Sequence, residues 1–359
     1  MARAKNPLII TSYAGKDQRN VASLVKLSEA LGCGVLESIG AYVNFPASHW
    51  GNLGATVGGK DLEGHIKAAD VIIVFESDVP WVPHHNKPSS DAIVYHIDCD
   101  PLKEQMPMHY LHATQSFRAD GHVALNQILS KLAKVKEIMN KEERVRALKI
   151  QHGKRIEKIK EAEKPAGDII TVQYLTACVR EKLDDKSSII INEATTNLPA
   201  VTTHLLRDAP GSLYASPAAS LGWSGGAAIA AKLAHPEKTV VTVAGDGSYL
   251  FTVPSTVHWI AKRYNTPFIT IVLNNRGWRA PKGSTLALYP NGQASIATAD
   301  DIHCSIDPPP DYAGIAAAAG GALGIKVEKS DDIIPALDRA LEAVKSGRQA
   351  LLDVWLPKF

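Results

Sequence analysis

Short, almost continuously apolar runs alternate with segments of helical spacing along this chain, and that alternation restricts it to one class of fold. PLIITS (7–12), GVLES (34–38), ADVIIVFES (69–77) and AIVYHIDCD (92–100) are runs of strand length. A strand that is apolar on both faces must be covered on both, which is the condition of a strand inside a parallel sheet. Between the first two runs, Val21, Leu24, Val25, Leu27, Ser28 and Leu31 fall on one side of a helix over 18–31. Strands alternating with helices imply a doubly wound α/β domain, drawn over residues 1–135.

The character then changes. Residues 131–164 are dense in Lys, Arg and Glu, with no Gly before Gly153, and Pro165 and Gly167 end the run. This reads as a charged helical linker, bounded at 136–167. Basic stretches can bind nucleic acid, but Glu is interspersed throughout and no aromatics are interleaved, so a solvated helix is expected. From Asp168 to the end, strands recur at 187–192, 239–245, 267–273 and 350–356. Helical spacing is expected at 171–183, 222–234, 253–264, 311–320 and 333–344, with Pro254 at a helix start, where its missing N–H costs nothing. The fold class is therefore α/β, with two doubly wound, mainly parallel-sheet, three-layer domains, the second spanning 168–359.

Composition excludes several functions. A formal net charge of +2 gives no reason to expect nucleic acid or an acidic membrane as partner. Cys33, Cys99, Cys178 and Cys304 lie far apart, which argues against a zinc site or a disulfide scaffold. The apolar runs are broken well before transmembrane length. The start, MARAKNPLII, runs directly into a buried strand, unlike a signal peptide, so a cytoplasmic location is expected.

The chemistry concentrates at two consecutive strand ends. Gly245-Asp246-Gly247-Ser248 closes one strand, and Asn274-Asn275 closes the next after an intervening helix. A right-handed βαβ unit brings both to the carboxyl edge of a parallel sheet, where open α/β sheets bind ligands. Gly245 and Gly247 allow a sharp turn and close approach to a ligand. The amides of Gly247 and Ser248 are expected to face phosphate oxygens. Asp246 offers a carboxylate oxygen, Asn275 a side-chain carbonyl and Gly277 a backbone carbonyl, a donor set suited to magnesium beside a diphosphate. Taken singly, a GDG is a turn and an NN a loop end; it is their joint placement that points to a site.

These residues resemble the signature of thiamine-diphosphate enzymes of the acetolactate-synthase-like family. Ile229-Ala230, Pro236, Val241 and Val243 precede Gly245-Asp246-Gly247-Ser248 at that family's spacing, and Asn274, Asn275 and Gly277 supply its later NN-x-G. The interval from Asp246 to Asn275, 29 positions, is slightly longer than in relatives, with the extra residues assigned to 252–265. The resemblance implies that Asp246, Asn275 and the Gly277 carbonyl hold Mg²⁺ on the diphosphate of thiamine diphosphate. It implies that Thr195 and Thr196 touch the diphosphate, although hydroxyls after a strand also cap helices. It implies that Leu221 wedges the cofactor into a bent shape, with a plain core leucine as the alternative, and that the Ala219 carbonyl faces the aminopyrimidine. Residues 1–135 resemble the family's central domain, which in some relatives holds FAD or ADP; the loops here decide neither.

The same resemblance implies an absence. The glutamate that protonates the aminopyrimidine belongs to a pyrimidine-binding domain, and no residue of this chain takes that role. Glu37 lies in the wrong domain and Glu193 on the diphosphate side, so neither is named as catalytic. The chain is expected to be a truncated form, or one subunit of a split enzyme whose partner supplies that domain; the central domain favours truncation. A homo-oligomer is expected in either case. The implied reaction is thiamine-diphosphate- and magnesium-dependent decarboxylation or carboligation of a 2-oxoacid or acyl-type substrate. Residues 276–290 depart from the substrate segment of true acetolactate synthases, which keeps a 2-hydroxyacyl-CoA lyase or benzoylformate-type decarboxylase open, as well as a non-catalytic cofactor-binding subunit.

Overall fold

The computed structural model describes residues 1–56, 60–61, 63–106, 111–216 and 220–358. The chain divides into two compact units: Met1–Glu161 with Leu206–Pro217, and Ala162–Leu205 with Ala218–Phe359.

The first unit contains β1 (Pro7–Thr11), β2 (Gly34–Glu37), β3 (Asn52–Ala55), β4 (Val71–Phe75), β5 (Ile93–Asp98) and β6 (Gln115–Arg118). They form one parallel sheet in the order β3-β2-β1-β4-β5-β6. Its helices are α1 (Gln18–Leu31), α2 (His65–Ala68), α3 (Gly121–Leu132) and α4 (Lys141–Ala162). Alternate strand residues enter different cores. Ile9, Ile73 and Phe75 pack with Leu24 and Leu27 of α1 and Leu125 of α3. Leu8, Ile10, Ile72 and Val74 pack with Ile66 of α2. Both faces are thus covered, as the apolar runs require. Asp17 caps α1 by accepting from the Arg19 amide, and Gly32 closes the helix at φ +61.

The helix read as a free connector is in large part attached to the first unit. Arg144 of α4 donates to the carbonyls of Gly32 (3.0 Å), Leu31 (2.6 Å) and Ala4 (3.2 Å). Arg155 donates to the Asn52 carbonyl at 3.2 Å and its side-chain oxygen at 3.0 Å. The charged composition hid this, because long cationic side chains can reach backbone carbonyls while the rest of the helix stays wet.

The second unit carries α5 (Val172–Lys182), β7 (Ser188–Glu193) and α6 (Leu198–Leu205). After β8 (Leu213–Ala215), which belongs to the first unit, come α7 (Ser224–Ala234), β9 (Thr239–Gly245), α8 (Asp246–Phe251), α9 (Pro254–Arg263) and β10 (Ile269–Asn274). Then follow α10 (Arg279–Leu288), α11 (Gln293–Ile296), α12 (Tyr312–Gly320), β11 (Leu323–Val327), α13 (Ile333–Lys345) and β12 (Ala350–Trp355). Within this unit the sheet order is β11-β12-β10-β9-β7. β7, β9 and β10 are parallel neighbours, so their carboxyl ends share one edge. Among the described residues, no helix is long and apolar enough to cross a membrane.

Candidate functional site

Three strand ends and the turns after them build the site. β9 stops at Gly245, and Asp246, 3% exposed, opens α8. β10 stops at Asn274, and the chain turns through Arg276, which takes φ +59. β7 stops at Glu193, followed by a 3-10 turn over Thr195–Asn197 in which Thr195 takes φ +33. Positive φ at non-glycine residues costs energy, and here it occurs where two strand ends meet one cavity.

Asp246 is held from two sides. Its Oδ1 accepts from the Gly247 amide at 2.8 Å and its Oδ2 from the Gly277 amide at 3.1 Å. The Gly247 amide, read from sequence as facing a phosphate, is therefore engaged by its neighbour's carboxylate. The Asn275 side-chain oxygen faces the Gly277 carbonyl at 3.0 Å and the two Asp246 oxygens at 3.1 and 3.2 Å. Oxygens facing one another repel unless a cation lies among them; the other remedy is for the amide to turn over and donate. Magnesium–oxygen bonds of about 2.1 Å put adjacent corners of an octahedron about 3.0 Å apart. The Asn275 oxygen thus stands at that spacing from both the Asp246 carboxylate and the Gly277 carbonyl. Burial pushes the Asp246 carboxyl up to about 6, against the pull of the Gly247 and Gly277 amides. A divalent cation beside it would keep it ionised.

Asn274, the first asparagine of the pair, has a different task. It is fully buried, donates to Asp353 Oδ1 of β12 at 2.9 Å and accepts from the Arg276 amide at 3.2 Å. These bonds fix the turn that aims Asn275. Arg276 itself lies over the Trp355 ring at 4.9 Å and donates to the Leu356 carbonyl at 3.1 Å.

A cavity of about 310 Å³ opens above this edge. Gly245, Asp246, Gly247, Ser248, Thr195, Thr196, Leu221, Asn275 and Gly277 all line it. The Thr195 and Ser248 hydroxyls meet across it at 3.2 Å. A Cβ on Gly247 would lie 2.2 Å from the Trp278 ring, so only glycine fits there. Ala219 lies outside the described residues. Sequence reading missed Trp278, Arg279, Ala280, Pro281 and Ser284, which bring the start of α10 to the same cavity. The available signal was their position immediately after Gly277.

Glu193, considered from sequence as a proton donor and set aside, is buried and grips the neighbouring loop. Its carboxylate accepts from the amides of Gly222 and, at 2.8 Å, Ser224. Burial raises its affinity for a proton, opposed by the hydrogen bonds from Ser224 and Gly222. Gly222 takes φ +89, and a Cβ there would lie 2.3 Å from the Phe251 carbonyl oxygen. Leu221 is thereby fixed at the cavity wall. Glu37 lies in the first unit, where it accepts from Asn44 Nδ2 at 2.9 Å.

The carboxyl edge of the first sheet differs. The Ser12 and Ser77 hydroxyls join across the ends of β1 and β4 at 2.7 Å. The Gly15 amide, at the turn before α1, donates to Asn44 Oδ1 at 2.9 Å, and a Cβ on Gly15 would lie 2.3 Å from the Val43 carbonyl oxygen. Lys103 is bound between Asp78 at 2.8 Å and Asp98 at 3.2 Å. Glu76 is pushed up to about 7 by burial and then by Asp98, Asp120 and Asp17. The backbone of the β1–α1 turn is already covered by the chain itself, and the charges around it are mainly negative. These residues do not fit the diphosphate of FAD or ADP.

Comparison with known proteins points to the same part of the chain. Residues 193–354 match the family described as thiamine pyrophosphate enzyme, C-terminal TPP binding domain. Sulfoacetaldehyde acetyltransferase of Castellaniella defragrans is 24% identical over 97% of this chain and 60% of its own length. The acetolactate synthase large subunit of Buchnera aphidicola subsp. Schizaphis graminum is 22% identical over 99% of this chain and 60% of its own. The chain therefore spans about 60% of the length of these relatives. In fold, it is similar to a thiamine diphosphate-dependent 4-hydroxybenzoylformate decarboxylase of Rhodococcus jostii RHA1, with a TM-score of 0.74 and 22% identity, covering 99% of this chain and 62% of that one. Every residue that lines the cavity, Leu221 included, falls within the matched segment, so residues 193–354 are a C-terminal TPP binding domain of the thiamine pyrophosphate enzyme family, and over its whole length the chain is similar to acetolactate-synthase-like enzymes.

Proposed function

We propose that the second unit binds the diphosphate of thiamine diphosphate through Mg²⁺ held by Asp246, Asn275 and the Gly277 carbonyl. The observation that carries this reading is the approach of the Asn275 oxygen to the Asp246 carboxylate and the Gly277 carbonyl at 3.0–3.2 Å in a buried turn. Thr195, Thr196 and Ser248 supply hydroxyls for phosphate oxygens, Gly245 and Gly247 leave room for close approach, and Leu221 bears on the organic part of the cofactor. When bound, thiamine diphosphate supplies a carbon nucleophile toward the carbonyl of an acyl donor. The protein's part is to hold the cation, orient the cofactor and keep the Asp246 carboxyl ionised beside it.

The reaction class is decarboxylation or carboligation of a 2-oxoacid or related acyl donor. The named relatives include a synthase and an acetyltransferase, and the structural neighbour is a decarboxylase, which supports the class rather than one substrate. The working protein is a homo-oligomer, or pairs with a partner that brings the pyrimidine-binding domain and its glutamate. The first unit serves without FAD or ADP.

Titration calorimetry of thiamine diphosphate into the chain, with and without magnesium, tests the reading, followed by turnover assays with pyruvate and benzoylformate. Magnesium-dependent binding that disappears in Asp246→Ala is the expected outcome. Unchanged affinity in that variant sinks the cation site. Binding without turnover, even with a pyrimidine-domain partner supplied, would favour a non-catalytic cofactor-binding subunit.

A further inference from the structure

Among the residues lining the cavity, only Asp246 and Arg279 carry charge. The other cations of the same segment are directed elsewhere. Arg276 donates to the Leu356 carbonyl and lies over Trp355. Lys282 donates to the Ala297 carbonyl at 2.8 Å. Arg279 is exposed, and among the described residues no carboxylate or carbonyl engages its guanidinium. Its backbone is nevertheless tied to the proposed cation site, because its amide donates to the Gly277 carbonyl at 3.1 Å. The residue also opens α10, a helix of ten residues whose start adds partial positive charge on the same side.

A diphosphate monoester carries more negative charge than one divalent ion beside a carboxylate can neutralise. Guanidinium is the side chain best shaped to meet two phosphate oxygens at once. The geometry points to Arg279 as a second cationic anchor for the cofactor's diphosphate, acting beside the Asp246–Asn275–Gly277 cation site. This inference rests on the cofactor reading above. It adds a binding residue that the strand-end motifs do not contain.

The test is calorimetric titration of thiamine diphosphate, thiamine monophosphate and thiamine in the presence of magnesium, on the whole chain and on Arg279→Ala, Arg279→Lys and Arg279→Glu. Arg279→Ala should weaken thiamine diphosphate roughly ten- to a hundredfold, the size of a lost charge-assisted hydrogen bond. Arg279→Lys should recover part of the loss and Arg279→Glu should deepen it. The preference for diphosphate over monophosphate should fall, and the salt dependence of binding should flatten. Circular dichroism melts should be unchanged, because the side chain is exposed. Should the wild type bind and Arg279→Ala bind equally well, the anchor alone is overturned. A loss that is the same for thiamine, which has no phosphate, also overturns it. Failure of the wild type to bind thiamine diphosphate with magnesium overturns the cofactor reading and the anchor together.

Discussion

Glu193 shows how far a single residue's role depends on what it touches. Its two carboxylate oxygens serve amides some thirty positions later, on the loop that presents Leu221. Truncation in Glu193→Ala leaves two amides without their acceptor, at a cost of about 2 kcal/mol, and frees the loop. Urea denaturation should register the loss, and calorimetry should show weaker binding of thiamine diphosphate. Glu193→Gln keeps one acceptor and should fall between. A wild-type urea midpoint in Glu193→Ala would show that the carboxylate does not hold the loop. Nothing in the sequence disclosed this clamp, since carboxylate-to-amide contacts leave no spacing pattern. That Asp246, Asn275 and Gly277 come together was legible because strand ends, glycine turns and oxygen donors are all written locally. Arg279 was legible only as a charge, as the role proposed for it depends on where α10 begins.

At the scale of elements, the central strands and amphipathic helices could be read because burial on both faces or one face imposes a period. α1 and β9 match their expected ranges residue for residue. Of the strands that escaped reading, β8 has only three residues, β11 has its apolar run broken by Gly324 and Lys326, β3 has one buried residue and β6 is exposed throughout. With little burial there is no apolar signal to read. α5 and α6 are tied by a contact equally invisible in sequence. Glu163 accepts from Arg180 at 2.7 and 2.8 Å and lies 2.9 Å from His204 Nδ1, while Arg180 also donates to the His204 carbonyl. Burial alone would raise the Glu163 carboxyl, but the hydrogen bonds from Arg180 and His204 outweigh it and hold it below the ordinary value of 4.5. A depressed carboxyl contributes stability above its unfolded pKa and loses it as pH falls through the folded value. Acid unfolding of the second unit should therefore steepen below about pH 4.5. Glu163→Gln should cost on the order of 2 kcal/mol at neutral pH and flatten that slope. Parallel stability curves for the two proteins from neutral pH into acid would mean that the bridge contributes nothing.

For the whole molecule, the two units make opposite predictions about ligands. A ligand that binds only the folded state stabilises it by RT ln(1 + [L]/Kd), about 2.7 kcal/mol at a hundredfold excess over Kd. Thiamine diphosphate with magnesium should thus raise the thermal midpoint of the second unit by several degrees. Trp278 reports the transition directly, because its ring stands against Gly247 at the cavity wall. Omitting magnesium should abolish the rise, since Asp246 would then face the diphosphate without an intervening cation. FAD and ADP should leave every transition where it was, because the β1–α1 turn is covered by Asn44 and Val43 and the nearby Lys103 is bound to Asp78 and Asp98. A midpoint raised by ADP, or a flavin spectrum that copurifies with the chain, would mean that this edge opens and that its acidic groups rearrange. A rise with thiamine diphosphate that needs no magnesium would instead reassign the oxygens of Asp246, Asn275 and Gly277 from metal ligands to a hydrogen-bonded turn. The two results are independent, so one series of melts separates an error about the first unit from an error about the second.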